Sequence, residues 1–144
     1  MQRISQSIYV LKNDGFGDEK FFNCIVAESL DNEEQSTLVG YCLYFYGYST
    51  FEGKHLYMED IYVHPGHRGK GCGSRMLQQL AQVAVTTNCC KIQFVVLNWN
   101  DQALKFYEKI GAVDLTAAEG WHLCRISRAN SEKLAARIPL HRGC

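Results

Sequence analysis

The feature that most constrains this chain is a glycine-rich segment that separates two different hydrophobic periodicities. Residues Arg68–Ser74 (RGKGCGS) follow a strand-like apolar run and open a helix-like one. Glycines allow positive φ and let the backbone pass close to a ligand. Successive N–H groups can then point at one place beside the positive end of a helix dipole, which favours an anion such as a pyrophosphate. The alternative is a flexible loop without a ligand. The glycine spacing does not match the nucleoside-triphosphate-binding loop or the dinucleotide-binding fingerprint.

The residues before this segment predict an antiparallel meander. Three runs rich in aromatic and apolar residues predict strands, and polar residues predict a loop at 13–20 and a turn at 31–37. The predicted strands are Phe21–Leu30, Leu38–Tyr48 and Lys54–Val63.

The residues after it predict alternating helices and strands. A helix is expected from Gly73 to about Thr87, and a second helix begins after the capping residue Asn100 and ends at Gly111. The second helix is expected to turn Ala103, Phe106, Tyr107 and Ile110 inward. Short strands are expected at Lys91–Leu97 and Trp121–Ser127, followed by a short helix from Ala129. This order predicts a single α/β domain over residues 1–144, with helices flanking a mixed sheet.

Composition excludes several functional classes. Fifteen basic residues balance fifteen acidic ones, so neither nucleic acid nor a membrane surface is an expected partner. No apolar run approaches the ~20 residues that a membrane-spanning helix needs. Seven scattered cysteines without a C-x-x-C pair indicate reduced thiols and a cytoplasmic protein. The five histidines have no metal-ligand spacing, so no metal is expected, and they are interpreted as surface or loop residues.

Two adjacent carboxylates, Glu59 and Asp60, interrupt the apolar third strand. Simple alternation places Glu59 with Tyr57 and Ile61, and places Asp60 on the opposite face with Met58. A buried carboxylate among such neighbours is a candidate general base near neutral pH. The alternative is that each one bonds to the backbone or to an arginine, or that the strand end is exposed.

These segments together resemble the GNAT acetyltransferase superfamily. The glycine segment after Ile61–Val63 is similar to that superfamily's coenzyme A pyrophosphate loop, and residues 98–112 (NWNDQALKFYEKIGA) resemble its second signature. Residues 14–18, 57–63, 97–100 and 114–122 resemble the diamine acetyltransferases more closely, that is, the family of spermidine/spermine acetyltransferase and its thialysine-acetylating relative. The resemblance runs from about Asp14 to His122 and leans toward the thialysine member.

The resemblance implies acetyl transfer from acetyl-CoA to a small amine such as thialysine, a diamine or a polyamine. Glu59 matches the family's acidic residue near the amine, and Tyr107 matches its catalytic tyrosine, although spacing alone would make Tyr107 a core aromatic. The residues implied for the coenzyme are Ile61, Tyr62, Val63, Arg68, Gly69, Lys70, Gly71, Cys72, Gly73, Ser74, Asn100, Asp101, Gln102 and Ala103. Those implied for the amine are Glu59, Asp60, Gln93, Phe94, Val95 and Glu119, with a capping box from Thr116 as the structural alternative for Glu119.

The resemblance also implies a homodimer and an N-terminal strand with two helices. Only thirteen residues precede Asp14, and Ile8–Leu11 is expected to supply one short element at most. An N-terminally short, catalytically impaired family member that binds coenzyme A or dimerises without turnover is therefore the alternative to an active enzyme.

Overall fold

The structure is a computed structural model that describes residues 2–30 and 36–137. It comprises two compact units, Met1–Val95 and Val96–Cys144. Five residues of the predicted 31–37 turn, 31–35, lie outside the described residues. The prediction of one domain over the whole chain stays a prediction.

The first unit contains a mixed four-stranded sheet in the order β1-β2-β3-β4. The strands β1 (Asn23–Ser29), β2 (Thr37–Ser49) and β3 (Gly53–Val63) pair antiparallel, which confirms the predicted meander. The short strand β4 (Ile92–Gln93) pairs in parallel with β3, so the predicted strand at Lys91–Leu97 is real only at its start.

Helix α1 (Gln2–Phe16) precedes the sheet, and helix α2 (Cys72–Thr86) follows β3. Sequence analysis expected no more than a short element before residue 14, so α1 is a correction. The glycines that suggested a loop lie at its end, where the N–H of Gly17 donates to the Asn13 carbonyl at 2.9 Å. Helix α2 begins one residue before the predicted Gly73.

The core of the first unit lies between α2 and one face of the sheet. Leu56 and Cys42 from the sheet and Leu80 from α2 are fully buried, with Met58 and Met76 nearly so. Burying one such side chain contributes about 1.5–3 kcal/mol, so this layer fixes the position of the glycine segment between β3 and α2.

In its described residues, the second unit contains three short helices joined by irregular segments, and no strand. It contains α3 (Asp101–Lys109), α4 (Leu115–Glu119) and α5 (Arg128–Ala135). Helix α3 and its Asn100 cap confirm the prediction, and α5 confirms the expected helix near Ala129. The predicted strand at Trp121–Ser127 is wrong, because these residues are irregular and Leu123 is 80% exposed. Apolar composition alone does not make a strand where no partner strand forms the ladder.

A candidate acetyl-transfer site

A β-bulge sits at the predicted pair of carboxylates. Leu43 lies opposite Asp60 while the next residue, Tyr44, lies opposite Met58, so Glu59 is the extra residue of β3. Both Glu59 and Asp60 are exposed, so the alternative of an exposed strand end holds and the alternative of a buried carboxylate does not. In the described residues, Glu59 makes no hydrogen bond or ion pair. An unpaired bulge residue is typical of positions where a strand re-aims a side chain.

The bulge also reverses the faces that simple alternation predicted for the end of β3. Residues directly opposite each other on paired strands share a face. Ile61 lies opposite the buried Cys42 and thus joins Met58 on the core face. Asp60 lies opposite Leu43, on the other face of the sheet. The predicted sharing of faces is therefore wrong from Asp60 onward, since one inserted residue shifts the period-two pattern.

The second half of β3 has one open edge. Strand β4 pairs only with Leu56 and Tyr57, so among the described residues no strand pairs with residues 58–63 on that side. Main-chain N–H and C=O groups on an unpaired edge are available to an extended ligand, as in β-strand addition. Ile61, Tyr62 and Val63, which were predicted to hydrogen-bond the coenzyme, lie on this edge. The Val63 carbonyl already accepts a hydrogen bond from Arg68 Nε at 2.8 Å.

The glycine segment has the backbone conformation that an anion site requires. Gly69 and Gly71 have φ of 73° and 82°, in the left-handed region, and a Cβ at either would meet nothing within 4 Å. Glycine is therefore needed there for its backbone freedom rather than for lack of space. Gly71 is the N-cap of α2 and has no side-chain cap, so the first N–H groups of the helix are open to a ligand.

The other residues predicted to hold the pyrophosphate lie next to these glycines in the first unit. Cys72, Gly73 and Ser74 form the first turn of α2, and Lys70 is exposed in the loop. Arg68 is tied to the end of β3 by its bond to Val63. Cationic side chains beside helix N–H groups suit a pyrophosphate.

In the second unit, the predicted cap of α3 is present. Asn100 Oδ1 accepts a hydrogen bond from the N–H of Ala103 at 3.2 Å, and Asp101 and Gln102 form the exposed first turn. Tyr107 is the buried side chain of α3, at 9% exposure, whereas Ile110 is 55% exposed and does not pack inward as predicted. This burial restrains the Tyr107 side chain.

The predicted amine-pocket residues belong to different elements. Gln93 ends β4 opposite Tyr57, and Phe94 and Val95 follow it outside the strand, with Val95 58% exposed. In the second unit, Glu119 ends α4 and its Oε2 accepts from Trp121 Nε1 at 2.5 Å. The capping box from Thr116 is wrong, because Asp114 Oδ1 caps α4 by accepting from two N–H groups at 2.9 and 3.3 Å.

Two residues with polar roles were not singled out from the sequence. The hydroxyl of Tyr41 donates to Asp60 Oδ2 at 2.6 Å. The sequence predicts a surface or loop position for His55, but it is buried in β3 with 8% exposure, and its Nδ1 has no hydrogen-bond partner within residues 2–30 and 36–137. The signal that could have revealed the Tyr41 contact is the apolar spacing 56, 58, 61, 63, which skips one position at the carboxylates and so marks the bulge.

The described residues hold neither a metal-binding cluster nor a membrane-spanning helix. No group of three His, Cys, Asp or Glu side chains there is placed to hold a metal ion. Within the same residues, none of the helices has the length and apolar character that crossing a membrane would require.

Comparison with known proteins places these features in a family. Residues 5–112, which include the glycine segment and α3, match the model of the acetyltransferase (GNAT) family. The chain belongs to the GNAT family. It is an acyltransferase of the N-acetyltransferase class, and the family uses acetyl-CoA as co-substrate.

Similar GNAT proteins narrow the assignment to the diamine acetyltransferases. The chain is 44% identical over 130 residues to the thialysine N-epsilon-acetyltransferase of Bos taurus, covering 88% of this chain and 76% of that protein. It is 42% identical over 120 residues to the human spermidine/spermine N(1)-acetyltransferase-like protein 1, covering 82% of this chain and 17% of that one. Among solved structures, an integron cassette protein from Vibrio cholerae has a TM-score of 0.76 at 26% identity, over 91% of this chain and 76% of that chain.

Proposed function

We propose that this GNAT enzyme transfers the acetyl group of acetyl-CoA directly to a primary amine of a small molecule, such as thialysine, a diamine or a polyamine. The observation that carries the proposal is the exposed, unpaired Glu59 at a bulge in β3, within the same unit as the glycine segment. The printed names of the similar proteins support an amine as acceptor.

The coenzyme is proposed to bind along the open edge of β3 and at the start of α2. Ile61, Tyr62 and Val63 would offer main-chain groups to the pantetheine arm, strand-fashion. Residues Arg68–Ser74 would hold the pyrophosphate through N–H groups and the two cationic side chains of the loop. Asn100–Ala103 lie in the second unit and are proposed as coenzyme residues because they match the family's second signature.

The amine must lose a proton before it attacks. A primary ammonium has a pKa of ~10.4, so it is protonated at neutral pH. Glu59 is proposed to accept this proton, directly or through a water molecule, and its charge attracts the substrate cation. Asp60, Gln93, Phe94, Val95 and Glu119 are proposed to contact the rest of the amine.

The nitrogen lone pair then attacks the thioester carbonyl carbon, and a C–N bond forms as the C–S bond breaks. Backbone N–H groups near Val63 are proposed to stabilise the oxyanion. The departing thiolate, with a pKa of ~8.5 if it behaves like cysteine, takes a proton from the Tyr107 hydroxyl. The second proton that the acetylated nitrogen must lose then passes to the Tyr107 phenolate, so an amide and a free thiol leave and the tyrosine is restored. No covalent enzyme intermediate is needed.

Two further features are proposed with the activity. A homodimer is supported by exposed apolar side chains on the strands and their turns, including Val26 at 53% and Phe51 at 95% exposure. A cytoplasmic location is supported by the six described cysteines, all of which are unpaired thiols.

The deciding experiment gives the purified protein acetyl-CoA and a panel of thialysine, spermidine, lysine and a peptide amine, and records release of free thiol. Turnover is expected on a small diamine or thialysine and not on the peptide. Calorimetry with coenzyme A runs in parallel. Coenzyme binding without turnover on any amine would refute the proposed activity and favour an impaired family member.

A further inference from the structure

Four side chains form a row on the first unit, beside the bulge. Tyr41 donates a hydrogen bond to Asp60 at 2.6 Å, and the Tyr41 and Tyr62 rings stack with centroids 5.8 Å apart and planes 29° apart. Arg68 Cζ lies 5.7 Å from the centroid of the Tyr62 ring. The order of contacts is thus carboxylate, phenol, phenol and guanidinium.

The bulge is what creates this row. Tyr41 lies opposite Tyr62 in the ladder, and Asp60 is the diagonal neighbour, opposite Leu43. If β3 alternated regularly through Glu59 instead of bulging there, Asp60 would share the face of Met58 and point away from Tyr41. The same insertion that leaves Glu59 unpaired therefore brings Asp60 to a phenol donor.

The Asp60 carboxylate keeps an acceptor for a ligand. Among the described residues, its hydrogen-bond partner is Tyr41 at Oδ2, and no Lys, Arg or His nitrogen forms an ion pair with it. The side chain is exposed, so its negative charge is open to a cation. An exposed carboxylate on a strand samples several rotamers unless a bond restrains it.

We propose that Tyr41 is a positioning residue, which fixes one oxygen of Asp60 so that the other is presented to the cationic group of the amine substrate. The inference rests on the proposed function. The Tyr62 stack and the Arg68 contact hold the Tyr41 ring, because Arg68 is itself anchored on the Val63 carbonyl. If the Tyr41–Asp60 bond only joined β2 to β3, its loss would lower the stability of the protein alone. If Tyr41 positions Asp60, its loss raises the KM for the amine and leaves the KM for acetyl-CoA unchanged.

Tyr41→Phe separates these roles, because it keeps the stacked ring and removes the hydroxyl. With the best amine of the panel, the KM for the amine is expected to rise about tenfold, as expected for losing a hydrogen bond to a charged group. The KM for acetyl-CoA and the kcat are expected to stay at the wild-type values. Tyr48→Phe is the matched control, since Tyr48 is 76% exposed on the same strand, and it should change neither constant.

Asp60→Asn supplies the second test, and it decides alone if Tyr41→Phe does not fold. It should raise the amine KM at least as much, and adding Tyr41→Phe to it should cause no further rise, because the two side chains act as one unit. An unchanged amine KM in either single variant, or independent effects in the double variant, would overturn the inference. A wild-type enzyme that acetylates no amine would instead overturn the proposed function, and the inference with it.

Discussion

Replacing Gly71 by alanine tests whether the glycine segment serves the coenzyme or merely turns the chain. Gly71 has φ 82° and ψ 4°, and an added Cβ would meet nothing within 4 Å. The cost is therefore backbone strain alone, about 1–2 kcal/mol for a left-handed non-glycine residue. For a chain of this length, that loss lowers the Tm by roughly 3–6 °C.

The chain can relieve this strain by rotating Gly71 out of the left-handed region, which re-aims the N–H groups at the start of α2. Losing one hydrogen bond to a charged phosphate would raise the Kd for acetyl-CoA by about tenfold or more. Calorimetry measures that affinity, and thermal unfolding measures the stability.

Gly53→Ala is the matched control, because Gly53 has φ 97°, equally open surroundings and a position at the first residue of β3, away from the glycine segment. It should lower the Tm by a similar amount and leave the acetyl-CoA affinity unchanged. If Gly71→Ala costs stability without weakening coenzyme binding, or if both variants weaken it equally, the anion-site argument fails.

Four further predictions address the catalytic residues, one ionisation and the core. Tyr107→Phe should lower kcat by ~10²-fold without changing acetyl-CoA affinity in calorimetry, and an unchanged kcat would contradict its role as general acid. Glu59→Gln should lower kcat by ~10²-fold at neutral pH and by less as pH approaches the amine pKa of ~10.4; a parallel pH–rate profile would argue against a base. The hydrogen bond to Asp60 is the main cause that raises the pKa of Tyr41 to about 12, so its stabilisation should be complete below pH ~10, the ordinary value, and lost as pH rises through about 12. Asp60→Asn should make tyrosinate absorbance appear at lower pH, and an unchanged titration would contradict that cause. Leu80→Ala should lower the free energy of unfolding, measured in urea, by about 2–5 kcal/mol because Leu80 is fully buried. A much smaller loss would mean that the layer between α2 and the sheet is loosely packed.

The elements that sequence analysis located correctly are those whose signals are local. The meander, α2 and α3 each follow from hydrophobic period, and the Asn100 cap follows from side-chain chemistry at one position. The glycine segment was also found locally, since positive φ restricts the residue type at Gly69 and Gly71.

The errors arose where distant residues decide the outcome. The length of β4 depends on where β3 stops pairing with it, and the strand expected at Trp121–Ser127 had no partner to pair with in its own unit. The reversal of faces after Met58 depends on one inserted residue. Helix α1 was missed because Gly15 and Gly17 were interpreted as a loop rather than as the end of a helix.

The sequence identified the residues of the candidate site but did not predict the contacts among their side chains. Family signatures supplied Glu59, Tyr107 and the glycine segment. The apolar spacing of β3 marks the bulge, but the contact of Tyr41 with Asp60 also depends on the register with β2, which that spacing does not encode. His55 shows the same limit, because its burial depends on how the sheet packs.

The half-paired strand β3 has a consequence for how this enzyme tolerates mutation. A ligand that binds through main-chain hydrogen bonds does not depend on the identity of the neighbouring side chains, provided that the strand stays extended. Exchanges among β-branched residues at Ile61 or Val63 should therefore leave coenzyme affinity intact, whereas a proline removes a donor and bends the chain. On the proposed binding mode, side chains along this edge can therefore vary while the acyl donor is retained.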